Sequence, residues 1–358
     1  MRSHMCDGEG VVQVLAMSGC ATGNLTKRDS RWCRFARTAA RLATRSSRIG
    51  IVPIVNVRGR VAVILLIGVC LTACGRTSTS GSSSRRQIVV TYSVLGSVVK
   101  DIVGSKADVK VLMPNGANPH EWSPSAKDVE SMLNADLVID NGLGLEGSLQ
   151  APLKEAKSNG VRVFTVAAHI AIRKVKAGEG TDASDPDQAP GADDPHLWMD
   201  PLTMAQWIGP LVTSMKDVGI DAAASGAQVE GDLDRLNADV ETIVGRIPAD
   251  RRRLVTGHES MGYFADRYHF QLVGAIIPSI TSQAEASAGA LAALTAKIRK
   301  AGVPAVFAEI GTPKAAVEAI AGDTGTKVIE LSTHNLPADG TYRSFMINIA
   351  TTIADALT

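Results

Sequence analysis

The sequence predicts an α/β protein of two pseudo-symmetric lobes, each a parallel sheet flanked by helices, joined by a long interlobe helix. Three observations predict it. At 358 residues the chain exceeds the size at which one hydrophobic core keeps growing. From residue 87 onward, short β-rich runs alternate with amphipathic stretches, and this happens in two successive sets. Between the sets lies one uninterrupted amphipathic segment, Asp221–Ile247.

In the first set, 87–220, the expected strands are Gln87–Thr91, Val109–Met113, Leu137–Asp140 and Val161–Val166, with helices over Val94–Val103, Ser125–Leu133 and Pro201–Val218. The connecting segment, 221–248, places Val229, Leu233, Leu236, Val240, Ile243 and Val244 at intervals of three and four, a single helical stripe ended by Pro248. About 25 helical residues reach roughly 40 Å, enough to bridge two lobes. In the second set, 249–358, strands are expected at Leu254–Thr256, Gln271–Ala275, Val306–Glu309 and Lys327–Leu331. Helices are expected over Ser260–Tyr268, Ala286–Ala301, Lys314–Gly322 and Tyr342–Leu357.

The net charge of +1 hides an asymmetry. Residues 1–60 hold 11 of the 37 basic residues and only 3 of the 36 acidic ones, leaving 26 basic against 33 acidic residues in the remainder. A main body of net charge −7 argues against a nucleic-acid partner. All five cysteines (Cys6, Cys20, Cys33, Cys70, Cys74) lie at or before position 74, so neither a disulfide nor a thiolate metal site is open to the lobes.

Arg58 and Arg60 precede the apolar run Val61–Cys70, which is too short to cross a bilayer and reads as a signal peptide over 57–73. Leu71-Thr72-Ala73-Cys74 resembles a bacterial lipobox, with Cys74 as the lipidated residue and 74–86 as a flexible tether. Residues 1–56 show no sustained apolar period. Their Arg-rich stretch would hinder export, so they are expected to be a non-native or disordered extension, with Val57 as a candidate initiator. A further segment, Lys176–Asp194, is acidic, rich in Gly and Pro and nearly free of apolar residues; a mobile acidic loop is expected there.

Four histidines stand where a strand should hand over to a loop or helix: His120, His196, His258 and His334. The first pair is 76 residues apart and so is the second, which puts one pair in each half. The carboxyl ends of strands are where ligands bind in open α/β sheets. Imidazole suits Zn, Cu, Fe or Ni better than Mg, Ca or Mn. His169 and His269 are expected to be structural. Four protein ligands in a tetrahedron leave no open position for water, so such a site holds metal and does not activate water. Carboxylates should orient the rings and balance charge, with Glu309 the first candidate and Glu121 and Glu259 behind it.

Enzyme motifs fail on their own terms. A zincin helix starting at His258 needs a second His where Gly262 stands, and a nucleophile elbow at Ser260 needs Gly where His258 stands.

At these residues the chain closely resembles the metal-binding lipoproteins of ABC transporters for zinc and manganese, the cluster A-I solute-binding proteins. NPHEWSPSAKDV, DPHLWMDP, TGHESMGYFADRYHF and ELSTHNLPADGTYRSFM resemble its four ligand segments, and GDLDRLNADVETIVGRIPADRR its rigid interlobe helix. The resemblance covers roughly residues 86–358. It implies that His120, His196 and His258 are ligands, and that the histidine at the third position points to the zinc branch. Many relatives carry Asp where this chain has His334, leaving Glu309 or water as alternatives for the fourth place. It further implies an extracytoplasmic, lipid-anchored, monomeric receptor whose cargo is Zn²⁺, with Mn²⁺ as the alternative. The cargo passes to a permease driven by an ATPase. A surface adhesin with a structural metal is the reading from another class.

Overall fold

The computed structural model describes residues 85–179 and 189–358. The signal peptide, Cys74 and the acidic residues Asp182, Asp185 and Asp187 lie outside them.

The first lobe is built on β1 (Arg86–Val90), β2 (Ala107–Val111), β3 (Leu137–Asp140) and β4 (Arg162–Thr165), in the order β2-β1-β3-β4. All pairs are parallel, with Ile88 facing Val109 on one side and Leu137 on the other. Ile88, Val90, Leu137, Val138 and Ile139 are completely buried. Their unbroken apolar runs are what a parallel strand covered on both faces requires. Helices α1 (Ser93–Val103), α2 (Ala126–Leu133) and α3 (Gln150–Ser158) provide the cover. Ser125 caps α2 in a reciprocal capping box with Asp128.

The second lobe repeats the plan. β5 (Arg253–Thr256) pairs in parallel with β6 (Gln271–Ala275), and β7 (Ala305–Ala308) with β8 (Lys327–Glu330). β5 also packs beside β7, which sets the strands in the spatial order β6-β5-β7-β8, although among the described residues they pair as two separate two-stranded sheets. Its helices are α7 (Gly262–Tyr268), α8 (Ala288–Ala301), α9 (Lys314–Thr324) and α10 (Tyr342–Leu357).

Between the lobes, α4 (Pro201–Gln206) and α5 (Ile208–Asp217) lead into α6 (Ala223–Val244). The single helix expected over Pro201–Val218 is therefore two. Pro210 explains the break: it cannot donate to the carbonyl of Gln206, and its ring would strike that carbonyl. The turn falls at Trp207, immediately after Gln206. Helix α6 is shorter than the periodicity suggests, since Gly245 ends it three residues before Pro248. Helix α3 was not among the expected helices; with only Leu153 and Ala156 buried, its apolar stripe is too sparse to read.

Helix α6 has 22 residues, about 33 Å at 1.5 Å per residue. Its buried stripe Val229, Leu233, Leu236, Val240 and Val244 packs on α1, α4 and α5 and on α10 of the second lobe. One hydrophobic cluster consequently runs through both lobes, and a smaller one around Val255, Val306 and Leu294 lies within the second. Among the described residues no helix is long and apolar enough to cross a membrane. Leu236 is 2% exposed at the middle of α6. Leu236→Ala is expected to cost about 2–5 kcal/mol, seen as a lower midpoint in thermal or denaturant unfolding.

Candidate metal centre

The four histidines meet. His120 follows β2 through the turn Pro114–Pro119, and His258 follows β5 by two residues. His334 follows β8, and His196 opens the short turn Leu197–Met199 ahead of α4. Two come from each lobe, and one nitrogen from each ring lies within 4.8 Å of the others. Ring centroids are 5.1 Å apart for His196 and His258, and 6.2 Å apart at most, for His196 and His334. His196, His258 and His334 are buried, and His120 is partly exposed.

For His196 and His334 the polar contacts decide which nitrogen is free. His196 Nδ1 donates to Asp194 Oδ1 at 2.8 Å, so its Nε2 carries the lone pair. That Nε2 lies 3.2 Å from His258 Nε2. A tetrahedron with Zn–N bonds of about 2.0–2.1 Å separates its nitrogens by roughly 3.3 Å. His334 Nδ1 lies 2.8 Å from Thr333 Oγ1, whose own proton goes to Glu309 Oε2 at 2.7 Å. The ring therefore donates to Thr333, and its Nε2 is left buried without a partner. His120 Nε2 is likewise buried and unpartnered, while Asn118 Oδ1 accepts from the His120 backbone N–H. A buried acceptor without a donor costs free energy, and a cation placed among these nitrogens removes that cost.

Glu309, at the end of β7, organises the second lobe's share. Its Oε1 accepts from Gly257 N at 3.0 Å, and its Oε2 accepts from Ser260 Oγ and Thr333 Oγ1, each at 2.7 Å. His258 Nδ1 stands 3.1 Å from Oε2 but off the line of a good hydrogen bond. Burial pushes the Glu309 carboxyl up. The adjacent His258 and the hydroxyl donors outweigh that and hold it below the usual carboxylate range. Both oxygens accept from second-lobe donors, which ties Glu309 to the segments that carry His258 and His334.

Glu121 is exposed and accepts from Asn118 Nδ2. Glu259 is buried, but no hydrogen bond or ion pair joins it to any of the four rings. Burial, reinforced by Glu179 and Asp194, pushes its carboxyl well up. The orienting groups that sequence reading missed are Asp194, Thr333 and Ser260. The signal for Asp194 was its place two residues before a candidate ligand. His169 stacks on Phe164, with ring centroids 4.5 Å apart, and His269 closes α7 in the left-handed region (φ 60°).

Burial lowers the pKa of His196, and lowers those of His120 and His334 strongly; neighbouring imidazoles add to the effect in all three. For His196 the Asp194 carboxylate opposes the shift. These rings stand neutral at neutral pH, the form that binds metal.

A compact, largely buried set of imidazoles shared by two lobes defines a candidate metal-binding centre. The comparisons agree. Residues 88–356 match the family described as zinc-uptake complex component A, periplasmic. Manganese-binding lipoprotein MntA of Halalkalibacterium halodurans is 27% identical over 272 residues, covering 74% of this chain and 85% of the relative. Zinc-binding protein TroA of Treponema pallidum is 28% identical over 265 residues, covering 72% and 82%. The structure of periplasmic TroA superposes with a TM-score of 0.65 at 27% identity, covering 76% of this chain and 99% of that one. A crystal structure of ZnuA gives 0.64 at 25% identity, covering 76% and 100%. The chain belongs to the family of zinc-uptake complex component A. It is the metal-binding, substrate-binding component of an ABC transporter and not an enzyme.

Gly257 is required where it stands. A Cβ there would lie 2.1 Å from Thr312 Oγ1 and 3.1 Å from Glu309 N. Gly257→Ala is expected to cost about 1–3 kcal/mol by forcing β5 and the 309–312 turn apart, measured as a fall in the melting temperature of the metal-free protein.

Proposed function

We propose that this protein is a high-affinity zinc receptor. In this reading it holds Zn²⁺ on His120, His196, His258 and His334 and delivers it to the membrane permease of an ATP-driven importer. The observation that carries the reading is the ligand set: four imidazoles converge, and Glu309, the carboxylate weighed as an alternative ligand, already accepts from Gly257 N, Ser260 Oγ and Thr333 Oγ1. An all-nitrogen set suits Zn²⁺ better than Mn²⁺, which prefers carboxylate, carbonyl and water oxygen. Asp194 and Glu309 supply negative charge beside the rings, in keeping with the outer partners that metal-bound histidines need. The mature protein works as a monomer on the outer face of the cytoplasmic membrane, tethered through a lipid on Cys74. The lipoprotein names of relatives such as MntA accord with the anchor.

The manganese reading stays in contention through one finding: relatives of similar identity are named for manganese as well as for zinc. Titration of the 75–358 segment against a chelating competitor, with Zn²⁺ and Mn²⁺ in parallel, separates the two. One-to-one zinc binding far tighter than manganese binding is expected. Single His→Ala changes at 120, 196, 258 and 334 should each weaken zinc by more than the 10–100-fold typical of outer-shell changes. Manganese binding as tight as zinc binding would reverse the assignment, and an unaffected His334→Ala would remove that ring from the ligand set.

The pH dependence follows from the lowered imidazole values. A group whose folded pKa is depressed begins to take up protons only below its ordinary value, so proton competition for the metal starts below about 6.5. Zinc affinity measured by competition is therefore expected to change little between pH 8 and about 6.5 and to fall only at lower pH.

A further inference from the structure

Arg173 lies outside the ligand set, yet its guanidinium is 6% exposed and each of its nitrogens engages a different carboxylate. Nε donates to Asp266 Oδ2 at 2.9 Å, the first terminal nitrogen to Asp194 Oδ2 at 3.1 Å, and the second to Glu179 Oε1 at 2.5 Å. The three acids come from different places. Asp194 is the partner of His196, Asp266 lies on α7 of the second lobe, and Glu179 stands at the base of the acidic segment.

The backbone reinforces the arrangement. Arg173 N donates to Tyr263 Oη at 2.9 Å, and Asp194 N donates to Arg173 O at 3.0 Å. Residues 173–175 and 191–194 form a short antiparallel stem, closed by the bridge between Lys174 and Asp193. Helix α7 comes so close that a Cβ on Gly262 would lie 2.3 Å from Asp194 Oδ2 and 2.4 Å from the Arg173 guanidinium.

Asp194 divides its two oxygens: Oδ1 takes the backbone N–H and Nδ1–H of His196, and Oδ2 takes Arg173. A carboxylate fixed at both oxygens cannot rotate, so the ring it holds cannot either. Arg is suited to this task because its planar fork serves several acceptors in set directions, which a Lys point charge cannot do. We infer that Arg173 is a positioning residue for the metal site: through Asp194 it sets the direction of His196 Nε2, and through Asp266 and Glu179 it ties that direction to the second lobe and to the stem of the acidic segment. The inference rests on the reading of His196 as a ligand.

The test uses the lipid-free mature protein with Zn²⁺ affinity and the visible absorption of bound Co²⁺ as readouts. The variants are Arg173→Met, Arg173→Lys, and the double change Glu179→Gln with Asp266→Asn, which leaves Arg173 and Asp194 in place. Leu236→Ala serves as a variant that destabilises the fold away from the site. Arg173→Met is expected to weaken Zn²⁺ about 10–100-fold, the range of other outer-shell losses, and to alter the intensity of the Co²⁺ bands. Arg173→Lys should fail to restore either property, while Leu236→Ala should lower the melting temperature and leave the Co²⁺ spectrum unchanged. If Arg173→Met does not fold, the double variant carries the test, with a Zn²⁺ loss of several-fold and a shifted Co²⁺ spectrum expected. Variants that melt earlier but bind Zn²⁺ and Co²⁺ as the wild type does would reduce Arg173 to a structural ion pair and overturn the inference. Failure of the wild type to bind either ion would instead overturn the zinc-receptor reading.

Discussion

Four imidazole rings are brought together onto one small volume, and the Nε2 atoms of His120 and His334 find no protein donor there. Each unanswered buried acceptor costs about 1–3 kcal/mol, so the arrangement persists only because everything around it is fixed. His196 and His334 have their Nδ1 protons taken by Asp194 and Thr333, and Glu309 stands against His258 while it holds Thr333. These contacts hold the His196 and His334 rings in the direction of the cluster. What remains is a cluster that can be satisfied by a cation and by little else.

The fold supplies that fixity from both sides. Trp198 Nε1 donates to the Thr333 carbonyl at 3.0 Å, and Tyr342 Oη donates to the Trp198 carbonyl at 2.7 Å. Tyr92 Oη, at the end of β1, reaches the carbonyl of His334 at 3.3 Å. The Asn115 side chain both donates to and accepts from the backbone of Leu336. The loop bearing His334 is therefore held by groups from the first half of the chain, and helix α6 keeps the two halves packed on a common core.

Much of this was legible beforehand, for reasons that can be named. Parallel strands covered on both faces must be continuously apolar, so runs such as Leu137–Ile139 stand out, and a histidine just past such a run is conspicuous. The stripe on α6 is legible because its period is local. Long-range contacts are not. Asp194 sits in an acidic run whose composition reads as solvated, and only the return of 191–194 onto 173–175 buries it against Arg173. Glu121, next to His120 in sequence, points instead to solvent, because adjacency along a turn says nothing about which way a side chain faces. The break at Trp207 was within reach, since Pro210 alone demands it.

Residues 120 and 334 lie 214 positions apart, and the four rings sample both halves of the chain. An ion bound to all four would act as a removable cross-link closing most of the described chain into one loop. Cross-links of that span act on the unfolded ensemble, which loses more freedom the longer the loop they close. The resistance of such a molecule to unfolding and proteolysis then becomes a property of its surroundings. Free ion at a hundred times the dissociation constant adds about 2.7 kcal/mol to the folded state, and a metal-starved compartment withdraws it. Loaded and empty receptors would differ in lifetime as well as in cargo.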